Sequence, residues 1–214
     1  ARRNGWRVSD IWNTHHHWDH AGGNAAVAAA TDARITAPAA EAEAIGRIDN
    51  PVTPGDVVQL GELSAIVLDV GGHTLGHVAY WFREARTCFV GDSLFALGCG
   101  RLFEGSPEQM QKSLARLRDL PDDTEIYCAH EYTAANARFA LSVDPDNAAL
   151  RQYADEVSRK RAAGDPTVPT TIAREKAANP FLRWDDAGLR ARLGLADAGD
   201  VAVFAKVRQM KDAF

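Results

Sequence analysis

The chain has 214 residues, of which 46% are hydrophobic and 25% charged, and its formal net charge at pH 7 is −5. This content suffices for a buried core, in one large domain or in one domain with a small partner. The acidic balance disfavours a nucleic-acid partner, because phosphate binding requires a basic surface. We expect no membrane span, since no apolar run approaches about 18 residues, and no signal peptide, since the first six residues do not lead into an apolar run.

Apolar runs predict an α/β arrangement in the first part of the chain. A strand is predicted over residues 9–14, an alanine-rich helix over 18–30 and a short helix over 38–45. The strands predicted next span residues 57–60, 63–70, 77–82, 87–90 and 125–129. Before the last of these, Ser106 as N-cap and Pro107 at the first helical position predict a helix.

After residue 131 the pattern becomes helical. A helix is predicted from Asp144-Pro145 to Gly164, and further helices over residues 185–193 and 200–211. The sequence therefore predicts a metal-binding α/β domain over residues 1–131 and a small helical domain over residues 132–214.

Four of the seven histidines lie in the segment THHHWDH, residues 14–20. Alternate side chains of an extended backbone share a face, so His15 and His17 converge on one point while His16 points away. A helical turn just after them would bring the carboxylate and the last histidine of the segment towards a second point. This layout predicts a two-metal site.

The other three histidines lie where predicted strands meet loops: His73 and His77 in GGHTLGH, and His130 in AHEYT. Asp92 follows an apolar strand, at the end where α/β proteins bind ligands, and a carboxylate there can bridge two cations. Nitrogen and oxygen donors without thiolate suit Zn²⁺, Fe²⁺ or Mn²⁺, and the residue types do not separate these.

The motifs THHHWDH, GHTLGH, FVGDSLF and AHEYT, in this order, resemble the glyoxalase II (hydroxyacylglutathione hydrolase) family of the metallo-β-lactamase superfamily. The resemblance extends over residues 5–214. It implies an α/β fold, the αββα sandwich of that superfamily, followed by a small helical domain. Family members carry residues ahead of the first motif, so the first strands of the sandwich are expected to be missing here.

The resemblance also implies a ligand set and a cofactor. By position it places His15, His17 and His77 on one metal, Asp19, His20 and His130 on the other, and Asp92 between them. Two divalent metals per chain are expected, Zn²⁺ first, with Fe²⁺ or Mn²⁺ as alternatives. His16 and His73 are then left over, and we interpret His73 as a hydrogen-bonding residue that orients its neighbours.

The implied reaction is the hydrolysis of S-(2-hydroxyacyl)glutathione, with S-D-lactoylglutathione giving glutathione and D-lactate in the second step of methylglyoxal detoxification. A hydroxide between two metals would be the nucleophile, because a metal lowers the pKa of its water to about 7. A thiolate, with a thiol pKa near 8.5, leaves without a strong acid. Asp92 and Asp19 are the candidate catalytic carboxylates, and ligation is the preferred role for Asp19 over that of a general base.

Four residues are predicted to bind the substrate. Arg208 and Lys211 share one face of the last predicted helix, which by spacing alone indicates solvated surface. The resemblance instead implies that they hold glutathione carboxylates, and that Arg101 and Tyr132 make further glutathione contacts. Phe103 stands where some members have tyrosine, so it cannot supply a phenolic hydrogen bond.

The three cysteines are odd in number and lack metal-binding spacing, which indicates a reducing compartment. A cytoplasmic monomer that binds a small-molecule substrate is therefore expected. One alternative is a persulfide dioxygenase of the same superfamily, with one Fe²⁺ and O₂, although a complete second ligand set argues against it. The other is a non-catalytic metal-binding fragment.

Overall fold

The computed structural model describes residues 1–214, apart from the side chain of Arg2. Its strands are β1 (Asp10–Trp12), β2 (Arg34–Pro38), β3 (Asn50–Val52), β4 (Val57–Leu60), β5 (Leu63–Asp69), β6 (Val78–Phe82), β7 (Thr87–Gly91), β8 (Leu94–Phe95), β9 (Gly98–Cys99), β10 (Glu125–Cys128) and β11 (Thr170–Thr171). Its α-helices are α1 (Trp18–Ala21), α2 (Asn24–Thr31), α3 (Ala42–Ile45), α4 (Pro107–Arg118), α5 (Thr133–Val143), α6 (Ala148–Ala163), α7 (Ile172–Ala178), α8 (Ala187–Arg192) and α9 (Asp200–Ala213). Short 3₁₀ turns span Arg2–Asn4, Ala39–Glu41 and Pro180–Leu182.

The strands form two main sheets and a hairpin. A parallel sheet has the order β1-β2-β3, and a mixed six-stranded sheet has the order β11-β10-β7-β6-β5-β4. The hairpin pairs β8 with β9. An α/β fold is confirmed, although β2 and β3 were not among the predicted strands.

Several predicted elements differ from those observed. The helix predicted over 18–30 is divided at Gly22-Gly23, and Gly22 lies so close to the Trp18 ring that a Cβ there would overlap it. The helix predicted from Asp144 begins instead at Ala148, because the side chain of Asn147 accepts a hydrogen bond from the Leu150 N–H and caps it. The helix α5 was not predicted.

The largest hydrophobic core lies between the six-stranded sheet and the helices α4 and α9. It combines residues from both sides of residue 131, such as Val90 and Leu114 with Phe181 and Phe204. The strand β11 also pairs antiparallel with β10, so a segment beyond residue 131 extends the sheet. The division into two domains at residue 131 stays a prediction. None of the described helices is both long and apolar enough to cross a bilayer.

Candidate metal centre and its cleft

The segment THHHWDH leaves the carboxyl end of β1 and is fixed by its neighbours. The Asn13 N–H donates to the Thr36 carbonyl, and the Asn13 carbonyl accepts a hydrogen bond of 2.8 Å from the Tyr80 hydroxyl. The Asn13 side chain donates to the carbonyl of His20. The backbone bends at Thr14-His15 and forms no helix or strand until α1 begins at Trp18, and these changes of direction let the segment point its side chains at two places.

The first ligand group consists of His15, His17 and His73, with one ring nitrogen of each within 4.8 Å of the others. His17 Nδ1 lies 3.2 Å from His15 Nε2 and 3.0 Å from His73 Nε2. The other ring nitrogen of His73 donates to the Arg101 carbonyl at 2.8 Å. This hydrogen bond sets the tautomer of His73, so its Nε2 presents a lone pair to the group.

His77, which the sequence predicts as a ligand in place of His73, lies outside this group. Its Nε2 accepts a hydrogen bond of 3.1 Å from the Asp92 N–H, and its ring stacks on His15 at a centroid distance of 4.5 Å. Burial, together with the nearby His73, lowers the pKa of His77 to about 3, so the ring is neutral. His77 therefore packs against His15, and which of His73 and His77 binds the metal stays a prediction.

The second ligand group consists of Asp19, His20 and His130. Asp19 Oδ2 lies 3.2 Å from His130 Nε2 and 3.4 Å from His20 Nε2. The Asp19 side chain is 59% exposed, whereas those of the two histidines are 27% and 14% exposed, so this group opens towards solvent.

Asp92 lies between the two groups. Its Oδ1 is 3.3 Å from His20 Nε2, and its Oδ2 is 3.4 Å from His130 Nε2 and 3.6 Å from His73 Nε2. It follows Gly91, where a Cβ would lie 2.4 Å from the Thr14 hydroxyl, so only glycine lets the end of β7 approach this closely. Burial opposes ionisation of Asp92, but the surrounding histidines, His20 first, lower its pKa overall.

These donors fit a metal. The three nitrogens of the first group face one another at about hydrogen-bond distance, although His73 Nε2 carries no proton to share. Among the described residues, His20 Nε2 and Asp92 Oδ1 are buried without a hydrogen-bond partner. Burial and the neighbouring imidazoles lower the pKa of His15 far below its ordinary value, which keeps it in the neutral form that ligates. The His and Asp groups can thus bind divalent metal.

A cleft of about 420 Å³ opens over both ligand groups. His17, Asp19, His73, Asp92 and His130 form one wall, here called the metal wall. The other lining residues, here called the cationic wall, include Phe95, Cys99, Arg101, Phe103, Tyr132, Arg208 and Lys211. The structure therefore brings all four predicted substrate-binding residues into the same cleft as the metal ligands.

Arg208 and Lys211 differ in how free they are. Arg208 is 4% exposed, and its guanidinium donates to Asp212 at 2.8 Å and to the Cys99 carbonyl at 3.0 Å. Lys211 is only half-buried and lies over the rings of Phe139 and Phe214. The guanidinium of Arg208 is therefore occupied by protein partners, whereas the ammonium of Lys211 forms no ion pair with any side chain that the structure describes and can bind an anion.

Other cations lie near Lys211 and add to the positive potential of the cleft. Burial lowers the pKa of Lys211, and the charges of Arg208, Arg138 and Arg101 lower it further. Arg138, on α5, was not predicted, because α5 itself was not. An anion bound here would relieve the repulsion among these side chains.

Tyr132 and Phe103 line the mouth of the cleft. The Tyr132 ring stacks on His130 at 4.9 Å, and the Phe103 ring lies 5.2 Å from His73 and 5.6 Å from His17. Tyr132 is 50% exposed and Phe103 is 62% exposed. They form an apolar rim beside both ligand groups.

Comparisons with known proteins agree with this arrangement. Residues 1–130 match the model of the metallo-beta-lactamase superfamily, and residues 131–214 match that of the hydroxyacylglutathione hydrolase C-terminus. The hydroxyacylglutathione hydrolase of Maricaulis maris is 58% identical over 214 residues, which are 100% of this chain and 84% of that protein. That of Methylococcus capsulatus is 52% identical over 98% of this chain and 82% of its own length.

Solved structures show the same fold. The crystal structure of ETHE1 from Myxococcus xanthus superposes with a TM-score of 0.67 at 24% identity, covering 97% of this chain and 71% of that one. Fold, site and sequence relatives thus agree, and the chain belongs to the hydroxyacylglutathione hydrolase family of the metallo-beta-lactamase superfamily.

Proposed function

We propose that this chain hydrolyses S-(2-hydroxyacyl)glutathione thioesters, with S-D-lactoylglutathione as substrate and glutathione and D-lactate as products. One observation carries the proposal: a single cleft has two His/Asp ligand groups on one wall and a cluster of cations on the other. Relatives with 52–58% identity that are named hydroxyacylglutathione hydrolase support it.

The cationic wall suits the glutathione part of the substrate. Glutathione carries two carboxylates, and Lys211 and Arg101 offer positive charge at the cleft surface. Tyr132 adds a hydroxyl and an apolar ring face at the mouth. With its carboxylates bound here, glutathione can direct its acylated sulfur towards the opposite wall, which lies within the same 420 Å³ cleft.

Two divalent metals are proposed on the metal wall, with Zn²⁺ first and Fe²⁺ or Mn²⁺ as alternatives. His15, His17 and His73 would hold one, Asp19, His20 and His130 the other, and Asp92 would contact both. When bound, divalent metal supplies Lewis acidity, which polarises a carbonyl and lowers the pKa of water to about 7. The lowered pKa values of Asp92, His15 and His77 keep the carboxylate ionised and the two imidazoles neutral, and these are the forms that favour a bound cation.

Cleavage of the thioester requires no general acid from the protein. The acyl carbon gains the oxygen of water and its C–S bond breaks, so that the sulfur leaves with the bonding electrons. A thiolate is a good leaving group near neutral pH, since the thiol pKa is about 8.5. No acidic side chain is needed beside the sulfur, and the apolar rim of Tyr132 and Phe103 is compatible with this.

The persulfide dioxygenase alternative is less well supported. It requires one Fe²⁺, whereas the structure brings together a second group of Asp19, His20 and His130 beside the first. The second group would have no role in a mononuclear site.

The test is thiol release from S-D-lactoylglutathione by the purified full chain loaded with Zn²⁺, followed with a thiol reagent. We expect turnover that a chelator abolishes and added Zn²⁺ restores. The lactoyl thioester of N-acetylcysteamine, which has the same reacting bond but no carboxylates, should react with a KM at least about tenfold higher. A folded sample with two metals that releases no thiol would contradict the proposal and favour the non-catalytic alternative.

We further propose a monomer in a reducing, cytoplasmic compartment. Cys88, Cys99 and Cys128 form no disulfide among the described residues, and burial raises the pKa of Cys99 and Cys128 to about 11. Sedimentation of the metal-loaded chain tests the oligomeric state.

A further inference from the structure

A buried carboxylate lies behind the metal wall. Glu41 ends the 3₁₀ turn after β2, and its side chain is 4% exposed. It was not predicted to have a role, because nothing in the alanine-rich sequence around it indicates one. A charge at such depth is stable only where several donors surround it.

The two oxygens of Glu41 serve two different segments. Oε2 accepts hydrogen bonds from the His16 N–H at 2.6 Å and from His16 Nδ1 at 2.9 Å. Oε1 accepts from the Thr74 hydroxyl and from the Gly76 N–H, the latter at 3.0 Å. One carboxylate therefore joins the THHHWDH segment to the loop between β5 and β6.

A second carboxylate makes a parallel link at the surface. Glu104 Oε2 accepts from the Leu75 N–H at 2.9 Å, and its Oε1 lies 3.3 Å from His16 Nε2. The His16 ring thus lies between Glu41 and Glu104. Packing is tight at this point, since a Cβ on Gly76 would lie 2.6 Å from Cγ of Glu41.

The linked residues are the chain neighbours of the metal ligands. His16 stands between His15 and His17, and Thr74 follows His73. His17 and His73 are 56 residues apart in sequence, yet their facing nitrogens are 3.0 Å apart. Local backbone geometry cannot set that distance, so it depends on contacts that hold the two segments together.

We propose that Glu41 is a positioning residue: by holding His16 and the Thr74–Gly76 loop together, it sets the spacing of His15 and His17 relative to His73 and thereby the metal affinity of this group. The inference rests on the proposed function only in taking this group as a metal site. It assigns His16, the middle histidine of the motif, the role of connecting the ligand segment to Glu41.

Metal affinity of the full chain tests the proposal directly. The metal-free wild type and Glu41→Gln are titrated with Zn²⁺ in competition with a chromophoric chelator, and with Co²⁺ while its visible absorption is followed. Glutamine keeps the size but replaces one accepting oxygen by an NH₂ group, which faces donors. We expect one of two sites to weaken about 10–100-fold, the usual effect of losing a partner behind a ligand, with a changed Co²⁺ spectrum.

Controls separate positioning from general stability. Glu43→Gln changes an exposed carboxylate two residues away and should leave both affinities within about twofold. Thr74→Val removes one of the four hydrogen bonds and should weaken the same site by less than Glu41→Gln. At saturating Zn²⁺ the KM for S-D-lactoylglutathione should not change, because the cationic wall is untouched.

A folded Glu41→Gln chain with wild-type affinities would overturn the proposal. If Glu41→Gln does not fold, Thr74→Val decides: unchanged affinities overturn the proposal and a weakened site supports it. A wild type that binds two metals but releases no thiol would refute the proposed function alone, since affinity is measured without substrate.

Discussion

The two walls of the cleft are built in different ways. The metal wall comes from strand ends and the residues after them. His73 and Asp92, with His15 beneath them, are buried at 4%, 6% and 0% exposure, and only Asp19 is mostly exposed, at 59% of its side chain. The cationic wall comes from a loop, the hairpin β8–β9 and the helices α5 and α9, and Arg101, Phe103 and Tyr132 are exposed. The reacting bond thus meets a fixed surface, and the remainder of the substrate meets a more adaptable one.

This difference has an energetic reason. Several of the candidate metal ligands are held by a further hydrogen bond or by a stacked ring, such as the Arg101 carbonyl on His73 or the His77 ring on His15, and metal bond lengths tolerate little error. Carboxylate recognition by lysine or arginine tolerates more, because long side chains can adjust. Four predictions test this contrast, in order from the largest expected effect to the smallest.

Removing Asp92 should have the largest effect, because both ligand groups lose their shared carboxylate. In Asp92→Ala we expect kcat/KM to fall by more than about 100-fold, beyond the loss typical of partners behind a ligand, and bound metal to fall below two per chain. Metal analysis and thiol release measure the two effects. The exposed Asp155→Ala is the matched control, and normal metal stoichiometry in Asp92→Ala would rule out the shared role.

His73 and His77 provide the sharpest test within the metal wall. His73→Ala should lose one metal and nearly all turnover. His77→Ala should keep two metals at saturating Zn²⁺ but lower the free energy of unfolding by about 2 kcal/mol, since the buried Asp92 N–H loses its acceptor. Metal content and urea unfolding distinguish the variants. Loss of a metal in His77→Ala alone would restore the ligand set predicted from the sequence.

On the cationic wall, Lys211→Met should raise KM for S-D-lactoylglutathione about tenfold and leave kcat within about twofold, since it removes ground-state binding. Methionine keeps an unbranched apolar side chain at this position and removes the ammonium that lies over the Phe139 ring. Arg208→Met should mainly lower stability, because Arg208 is held by Asp212 and Cys99. Lys206→Met, on the exposed face of the same helix, is the control. An unchanged KM in Lys211→Met would show that Lys211 is ordinary surface.

The smallest effect concerns the support of the hairpin β8–β9. Glu175 is fully buried and accepts from the Leu97 N–H at 2.8 Å, and burial raises its pKa above the ordinary 4.5. A raised pKa means that the folded chain favours the protonated form, so this contribution to stability is full below pH 4.5 and is lost as pH rises through the raised pKa.

We therefore expect the wild type to lose stability relative to Glu175→Gln from pH 4.5 towards neutrality, by at most about 1.4 kcal/mol per pH unit. Urea unfolding of the metal-free chains across this range measures the difference. Parallel curves for the two chains would show that Glu175 does not titrate there.

Much of the metal wall could be predicted from the sequence because its signals are local. The THHHWDH segment indicates two ligand points by its own alternation and the turn that follows. The choice between His73 and His77 could not be made locally, since both lie in one loop. It depends on the Arg101 carbonyl, 28 residues away in sequence, which fixes the tautomer of His73.

The fold, too, could be predicted only where the signal lies in neighbouring residues. Strongly apolar strands such as β5 and β7 were predicted, whereas β2 and β3 form because parallel partners lie beside them. The helix predicted over 18–30 is interrupted at Gly22-Gly23, and glycine is a poor helix former that the alanine-rich composition around it concealed. Glu41 was missed because its four donors lie on segments distant in sequence.

The pairing of β11 with β10 has a consequence for behaviour at high concentration. An uncovered strand edge is a template on which other chains add and aggregate, and proteins avoid this with short or shielded edge strands. Here the two-residue β11 covers the edge of β10, and the helix α7 follows at once. A short segment of the helical part of the chain, outside the substrate cleft, thus also keeps the sheet from growing into fibres.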